Sequence, residues 1–97
     1  MSPGDTPAGP LVRDLTIVNR RGLHARAAAR FVKVAEQFAA EVEVAKDDLV
    51  VGGTSIRGLM MLDAAAGSIL ELRARGREAE PALEALAALV TRGFDED

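Results

Sequence analysis

Apolar residues recur every second position in some segments and every third or fourth in others, a pattern that predicts alternating strands and helices. Alternation predicts four strands, at residues 11–18, 41–46, 49–51 and 68–75. Helical spacing predicts three helices, at residues 25–38, at 55–62 and from about residue 78 to just before Gly93. The order β-α-β-β-α-β-α predicts an α+β fold, an open-faced β-sandwich in which three helices cover one face of a four-stranded antiparallel sheet.

Special residues mark the ends of the last predicted helix. Pro81 has no N–H, so it fits only in the first turn, and the regular helix must begin near residue 78. Gly93 suits the C′ position that follows the helix. In the short second helix, the spacing predicts that Ile56, Leu59 and Met60 are buried.

The chain has 97 residues, 48% of them apolar and 28% charged. That length holds one domain with its own core, and that composition is too apolar for a disordered chain. Residues 1–10 contain three of the four prolines and little to bury, so we expect a disordered tail there. The folded domain is predicted to span residues 11–93, followed by an acidic fringe at residues 94–97.

The amino-acid composition argues against several classes of function. The absence of cysteine excludes disulfides and thiolate metal sites, and a single histidine excludes a multi-histidine site, so we expect no metal and no cofactor. A net charge of −3 and three Phe without Tyr or Trp argue against nucleic-acid binding. No apolar run approaches the roughly 20 residues that span a bilayer. We expect a soluble, cytoplasmic and monomeric protein.

The loop between the first predicted strand and helix contains the lone histidine, His24, where the helical period begins. A helix N-terminus presents unpaired N–H donors and about half a positive charge, which attract an anion. The same field disfavours imidazolium, so His24 is expected to be a neutral nucleophile. Arg26 can offer its guanidinium to phosphate oxygens. A helix cap or a solvated surface histidine is the ordinary structural explanation of the same spacing.

The GLHAR motif at residues 22–26 resembles the active-site motif of the HPr family, the histidine-containing phosphocarriers of the phosphoenolpyruvate-dependent phosphotransferase system. Residues 53–60 are similar to the family's regulatory-serine segment, and the order of elements fits over residues 11–93. The resemblance implies a bacterial phosphoryl carrier without turnover of its own, in which His24 accepts the group on Nδ1 and Arg26 assists. The donor would be phosphorylated enzyme I and the recipient an enzyme IIA-type protein, in a sugar-uptake or regulatory branch.

Ser55 lies in the second of these segments. The resemblance implies that it is phosphorylated in hosts that have an HPr kinase/phosphorylase, and a phosphate there would repel an acidic partner. Serine is also a preferred N-cap residue, which explains Ser55 without regulation. The chain departs from the family pattern at Ala27, where proline is common, and at Arg57, where relatives regulated at the serine often have an apolar residue.

Basic residues are concentrated around His24 in an otherwise acidic chain. Arg26, Arg30 and Lys33 recur at helical spacing and predict one exposed stripe, for which a solvated helix face is the ordinary explanation. A docking surface for acidic partners would raise the association rate. With an apolar patch from the short helix added, the predicted docking residues are Arg20, Arg21, Arg30, Lys33, Ile56, Leu59 and Met61.

Three other functions remain open from the residues alone. An acylphosphatase-like enzyme would need an arginine loop around phosphate and an asparagine that places a water, and the only asparagine is Asn19. A ferredoxin-like RNA-binding sheet would need aromatic residues in its strands, yet the three Phe, at positions 31, 38 and 94, lie outside them. A small regulatory binding module is opposed only by the fit of His24 and Arg26 to phosphate chemistry.

Overall fold

The computed structural model describes residues 9–96, which form the elements in the predicted order. The strands are β1 Leu11–Thr16, β2 Glu41–Lys46, β3 Leu49–Gly52 and β4 Ile69–Arg75. The helices are α1 Ala25–Ala35, α2 Ile56–Met61 and α3 Ala79–Thr91, with a 3-10 turn at Gly93–Asp95. Most of the predicted disordered tail, residues 1–8, lies outside the described residues. Between residues 9 and 96, no helix has the length and apolar character to cross a membrane.

The four strands form one antiparallel sheet in the order β1-β4-β2-β3. Because β4 lies between β1 and β2, its residues pair on both sides, with Leu70 opposite Leu15 and Leu72 opposite Val44. The helices cover one face of this sheet, and the predicted open-faced α+β sandwich is therefore confirmed.

The core lies between that covered face and the helices. Val44 and Leu72 contribute from the sheet, Phe31 from α1 and Leu86 from α3, and all four are fully buried. Each such side chain contributes about 1.5–3 kcal/mol when it leaves water, so the apolar stripes identified in the sequence hold the helices against the sheet. Ile17, the residue after β1, is buried as well.

Two predicted boundaries differ from the structure. β1 ends at Thr16 rather than at residue 18, and α1 ends at Ala35 rather than at residue 38. After Ala35 the amides of Gln37 and Phe38 donate to carbonyls three residues earlier, so the helix tightens into a 3-10-like turn and stops. The apolar side chain of Phe38, which suggested a longer helix, packs against the core from this turn.

The prediction that Ile56 and Met60 of α2 are buried is wrong. Ile56 is 42% exposed and Met60 is 45% exposed, whereas Leu59 is fully buried. A helix of six residues has fewer than two turns, and in α2 only Leu59 is buried. The helical period identified the apolar residues of α2, but the short helix leaves most of them facing solvent.

The C-terminal residues belong to the fold. Gly93 follows α3 with a φ of +67°, which confirms its predicted C′ position and turns the chain back toward the domain. Phe94 was expected in the acidic fringe, but it is fully buried although its own φ is +58°. A left-handed residue costs about 1–2 kcal/mol, and removal of a buried Phe side chain costs about 3–5 kcal/mol. The free energy gained by burying the ring therefore exceeds the cost of the left-handed backbone.

Candidate functional site

The loop between β1 and α1 turns sharply and delivers His24 to the start of the helix. Gly22 has a φ of +69°, which favours glycine, and its N–H donates to the carbonyl of Asn19 over 3.1 Å. A Cβ at position 22 would lie 2.3 Å from the carbonyl oxygen of Ala64, so a larger residue does not fit. The amide of Leu23 donates to that same oxygen over 2.9 Å and ties the loop to the segment after α2.

His24 is the N-cap residue of α1, as the sequence predicted. Its backbone is extended, with a φ of −78°, and its carbonyl accepts the first intrahelical hydrogen bond, from Ala28, over 2.8 Å. The His24 side chain makes no capping hydrogen bond. The N–H groups of Ala25, Arg26 and Ala27 therefore have neither a helical acceptor nor a side-chain cap from His24, which is the arrangement that attracts an anion.

A cleft of about 490 Å³ opens at this end of α1. It is lined by four arginines and two acidic residues: Arg20, Arg21, Arg26, Arg30, Asp95 and Glu96. Arg30 is only partly exposed, and its Nη1 donates to the backbone carbonyl of Phe94. The predicted exposed stripe of Arg26, Arg30 and Lys33 is therefore wrong for Arg30, which holds the C-terminal turn against α1.

The carboxylate of Glu96 contacts both His24 and the loop before it. Its Oε2 lies 2.5 Å from Nε2 of His24, and its Oε1 accepts a 2.9 Å hydrogen bond from Nδ2 of Asn19. The same Nδ2 donates to the carbonyl of Gly22 over 2.9 Å. The hydrogen bond from Asn19 lowers the pKa of Glu96, and contacts with His24 and the charge of Arg21 lower it further, against the opposing effect of desolvation.

Sequence reasoning missed Glu96. It stands 72 positions from His24 in a run of acidic residues, and such a run is ordinarily a solvated surface. Its role depends on the turn at Phe94, whose burial no periodicity indicates because the turn lies beyond the last helix.

Two alternative functions lose their structural basis. Asn19 is 2% exposed and both donor contacts of its amide go to Gly22 and Glu96, so it does not present a water as an acylphosphatase-like site requires. Phe31 and Phe94 are fully buried, and Phe38 is partly buried against the core. In residues 9–96 the sheet thus offers no aromatic platform on which RNA bases could stack.

A second cleft, of about 260 Å³, connects His24 with the region of α2. Met60 of α2 contributes to its lining together with His24 and Arg21. Ile56 and Met61 are exposed on the same short helix and can contact another protein. Leu59 is fully buried, so the prediction that it contacts a partner is wrong. Its apolar character serves the core.

Ser55 caps α2, as expected for a serine at this position. Its Oγ accepts a 2.9 Å hydrogen bond from the N–H of Gly58, and the side chain is exposed. Arg57, two residues later, is exposed as well. Met60, near the end of α2, lines the cleft of His24, whereas Ser55 lies at the start of the same short helix.

Comparison with known proteins identifies the family. The family model described as "PTS HPr component phosphorylation site" matches residues 11–92. The chain belongs to the HPr family of phosphocarriers. The phosphocarrier protein HPr of Neisseria meningitidis serogroup B (strain MC58) is 45% identical over 86 residues, which cover 89% of this chain and 97% of that protein. The phosphocarrier protein NPr of Shewanella violacea is 40% identical over 86 residues, with coverage of 89% and 94%.

Solved HPr structures have the same fold. The crystal structure of HPr-C-His from Thermoanaerobacter tengcongensis superimposes with a TM-score of 0.86 and 38% sequence identity, covering 90% of this chain and 98% of that one. Membership of the HPr family gives the chain a phosphocarrier role in the phosphotransferase system.

Proposed function

We propose that the chain accepts a phosphoryl group on Nδ1 of His24 from phosphorylated enzyme I and passes it to an enzyme IIA-type protein. The observation that carries this proposal is the position of His24 at an uncapped helix N-terminus beside an arginine-lined cleft. Membership of the HPr family supports the phosphotransferase system as the setting, and with it a cytoplasmic site of action in a sugar-uptake or regulatory branch.

In the proposed step, the lone pair of Nδ1 attacks the phosphorus of the donor's phosphoryl group. The bond between nitrogen and phosphorus forms while the donor's own bond to phosphorus breaks, and that electron pair returns to the donor. Transfer to the recipient repeats the exchange, with His24 now the leaving group. No electrons are gained or lost overall, and the chain returns to its starting state only after the group has left, as a carrier does.

The surroundings of His24 suit the phosphorylated product. A phosphoryl group adds about two negative charges and three acceptor oxygens, and the start of α1 offers N–H donors and the positive end of the helix dipole. The exposed guanidinium of Arg26, on the first turn, is the nearest helical cation in sequence and supplies charge-assisted hydrogen bonds. The same groups stabilise the charge that develops during transfer.

The partner surface in this proposal surrounds His24 on two sides. Arg20, Arg21 and Lys33 are exposed and would attract an acidic partner, while Ile56 and Met61 supply apolar contacts from α2. Ser55 lies at the edge of this surface. A kinase that phosphorylates it, where the host has one, would place negative charge where the acidic partner must approach.

Phosphoenolpyruvate and enzyme I provide the test. Mass spectrometry of the intact chain should show the addition of one phosphoryl group that is lost in acid, and His24→Ala should remain unlabelled while it keeps its circular dichroism spectrum and Tm. The matched control is Ser55→Ala, which should be labelled like the wild type. Acid-labile labelling of the His24→Ala variant would assign the acceptor elsewhere and overturn the proposal.

A further inference from the structure

The His24 ring contacts the carboxylate of Glu96, a residue 72 positions later in the sequence. Oε2 of Glu96 lies 2.5 Å from Nε2 of His24, and both side chains are largely shielded, with 14% and 23% of their surfaces exposed. Within residues 9–96, Nε2 has no other hydrogen-bond partner, and Glu96 is bound on its second oxygen by Asn19. The contact therefore joins three residues in a row: Asn19, Glu96 and His24.

The orientation of the Asn19 amide follows from its neighbours. Nδ2 faces two acceptors, the carbonyl oxygen of Gly22 and the carboxylate of Glu96, each 2.9 Å away. The opposite orientation would direct the amide oxygen at both acceptors, which is repulsive. Asn19 is 2% exposed, and within residues 9–96 its Oδ1 has no hydrogen-bond partner. A buried acceptor without a hydrogen bond costs free energy, and the two hydrogen bonds of Nδ2 offset that cost. Asn19 thus fixes the Glu96 carboxylate in one place.

The carboxylate in turn decides which nitrogen of His24 carries the proton. Asn19 and Arg21 favour the ionised form of Glu96, and an ionised carboxylate only accepts hydrogen bonds. Nε2 must therefore be the N–H donor, and in neutral imidazole Nδ1 is then the nitrogen with the lone pair. A group that fixes a tautomer through the other ring nitrogen is a recurrent device in histidine chemistry.

We propose that Glu96, oriented by Asn19, is a positioning residue that keeps the proton on Nε2 of His24 and so presents Nδ1 for phosphorylation. The inference rests on the proposed function, because it assigns Glu96 a part in that reaction. When Nδ1 gains the phosphoryl group, the ring gains positive charge, and the Glu96 carboxylate stabilises that charge through the Nε2–H bond. Return of the electron pair to the ring on transfer restores the starting arrangement.

The test starts with the protein alone. His24 is the only histidine, so a long-range ¹H–¹⁵N spectrum of the ring reports its tautomer without overlap. At alkaline pH the wild type should show a protonated Nε2 and an unprotonated Nδ1, and Glu96→Ala should move toward the mixture of tautomers of free imidazole. Glu80→Gln is the matched control, because Glu80 is an exposed carboxylate in the first turn of α3, at the other end of that helix from the turn that carries Glu96.

Phosphoryl transfer from enzyme I is then measured on the same variants. Loss of the charged acceptor in Glu96→Ala or Glu96→Gln should slow transfer by about tenfold or more, whereas Glu80→Gln should stay within about twofold of the wild type. Rescue by Glu96→Asp is not expected, because the shorter side chain moves the carboxylate away from Nε2.

Two results would overturn the inference alone: an unchanged tautomer in Glu96→Ala, or a changed tautomer with an unchanged transfer rate. Failure of the wild type to accept any phosphoryl group would overturn the proposed function, and with it the role of Glu96 in transfer. The two failures are distinguishable because the spectrum needs neither enzyme I nor phosphoenolpyruvate.

Discussion

Arg26 and Arg30 lie one helical turn apart on α1 and yet have different environments. Arg30 donates to the carbonyl of Phe94 and so stabilises the C-terminal turn. Arg26 is exposed, and within residues 9–96 its side chain has no hydrogen bond or ion pair. An exposed arginine without contacts contributes little to stability, so the role that we propose for Arg26 in binding phosphate can be tested apart from folding.

Replacement of Arg26 by Ala should therefore slow phosphoryl transfer with little change in Tm. A hydrogen bond to a charged group contributes roughly 1.5–3 kcal/mol, so we expect a rate loss of at least about tenfold. The control is Arg77→Ala, which removes an exposed arginine at the opposite end of the sheet, after β4. Rates measured by quenched-flow labelling that are equal for all three proteins would exclude Arg26 from the reaction.

At the scale of secondary structure, Ser55 caps α2, and in our proposal it is also a site of regulation. The Oγ of Ser55 accepts the N–H of Gly58, and loss of that cap in Ser55→Ala should lower the free energy of unfolding by about 0.5–2 kcal/mol. Asp also caps helices, so Ser55→Asp should keep the stability and add a negative charge beside the docking surface.

Ser55→Ala should therefore change the stability and not the transfer rate, and Ser55→Asp should change the transfer rate and not the stability. In urea unfolding, Ser55→Ala is the less stable protein, whereas in transfer from enzyme I it should match the wild type and Ser55→Asp should be markedly slower. Transfer rates that follow stability instead of charge would leave Ser55 as a helix cap alone.

The C-terminal turn should make stability depend on pH through Glu96. The pKa of Glu96 is lowered in the folded chain, so its contribution is complete above the ordinary glutamate pKa, about 4.3, and is lost as pH falls through the folded value. The free energy of unfolding of the wild type should fall more steeply below that pH than that of Glu96→Gln. Urea titrations at several pH values measure both slopes, and parallel curves would contradict the linkage.

The secondary-structure elements show which features a single sequence predicts and which it does not. The strands and helices of the sandwich, the cap at His24 and the glycine after α3 follow from periodicity and local backbone chemistry. The exposed side of α2 does not, because apolar spacing identifies a face without showing whether anything covers it. Glu96 does not either, because its contact with His24 depends on a tertiary turn at Phe94.

The departure from the family pattern at Ala27 is explained at this scale as well. Ala27 occupies the third position of α1 and is fully buried. Proline is tolerated in the first turn of a helix because the N–H it lacks has no helical acceptor there. Alanine is the best helix former, so α1 can begin at Ala25 without a proline in its first turn.

Across the whole molecule, charge is distributed unevenly. The net charge is −3, yet Arg20, Arg21 and Arg26 are exposed around one cleft. A local positive field on an acidic protein orients it toward an acidic partner before contact and increases the association rate.

Neutralising Arg20 and Arg21 together should lower the association rate with enzyme I and reduce its dependence on salt, since the Debye length is about 8 Å at physiological ionic strength. The matched control is the double replacement of Arg75 and Arg77 by Ala, which changes the net charge equally at the opposite end of the molecule. Stopped-flow rates across a salt series compare the two. The same salt slope for both would mean that only net charge matters.

The return of the chain at Phe94 also governs how this protein should be tethered for experiments. Residue 96 touches His24, whereas β1 begins at Leu11, about 17 Å along the strand from its Thr16 end, which leads into the His24 loop. A dye, affinity tag or surface linker attached beyond residue 96 would start next to His24, and we expect it to compete for space with the phosphoryl donor proposed above. Leu11 lies at the opposite end of β1 from the His24 loop, so we expect immobilisation from that side to preserve phosphoryl exchange.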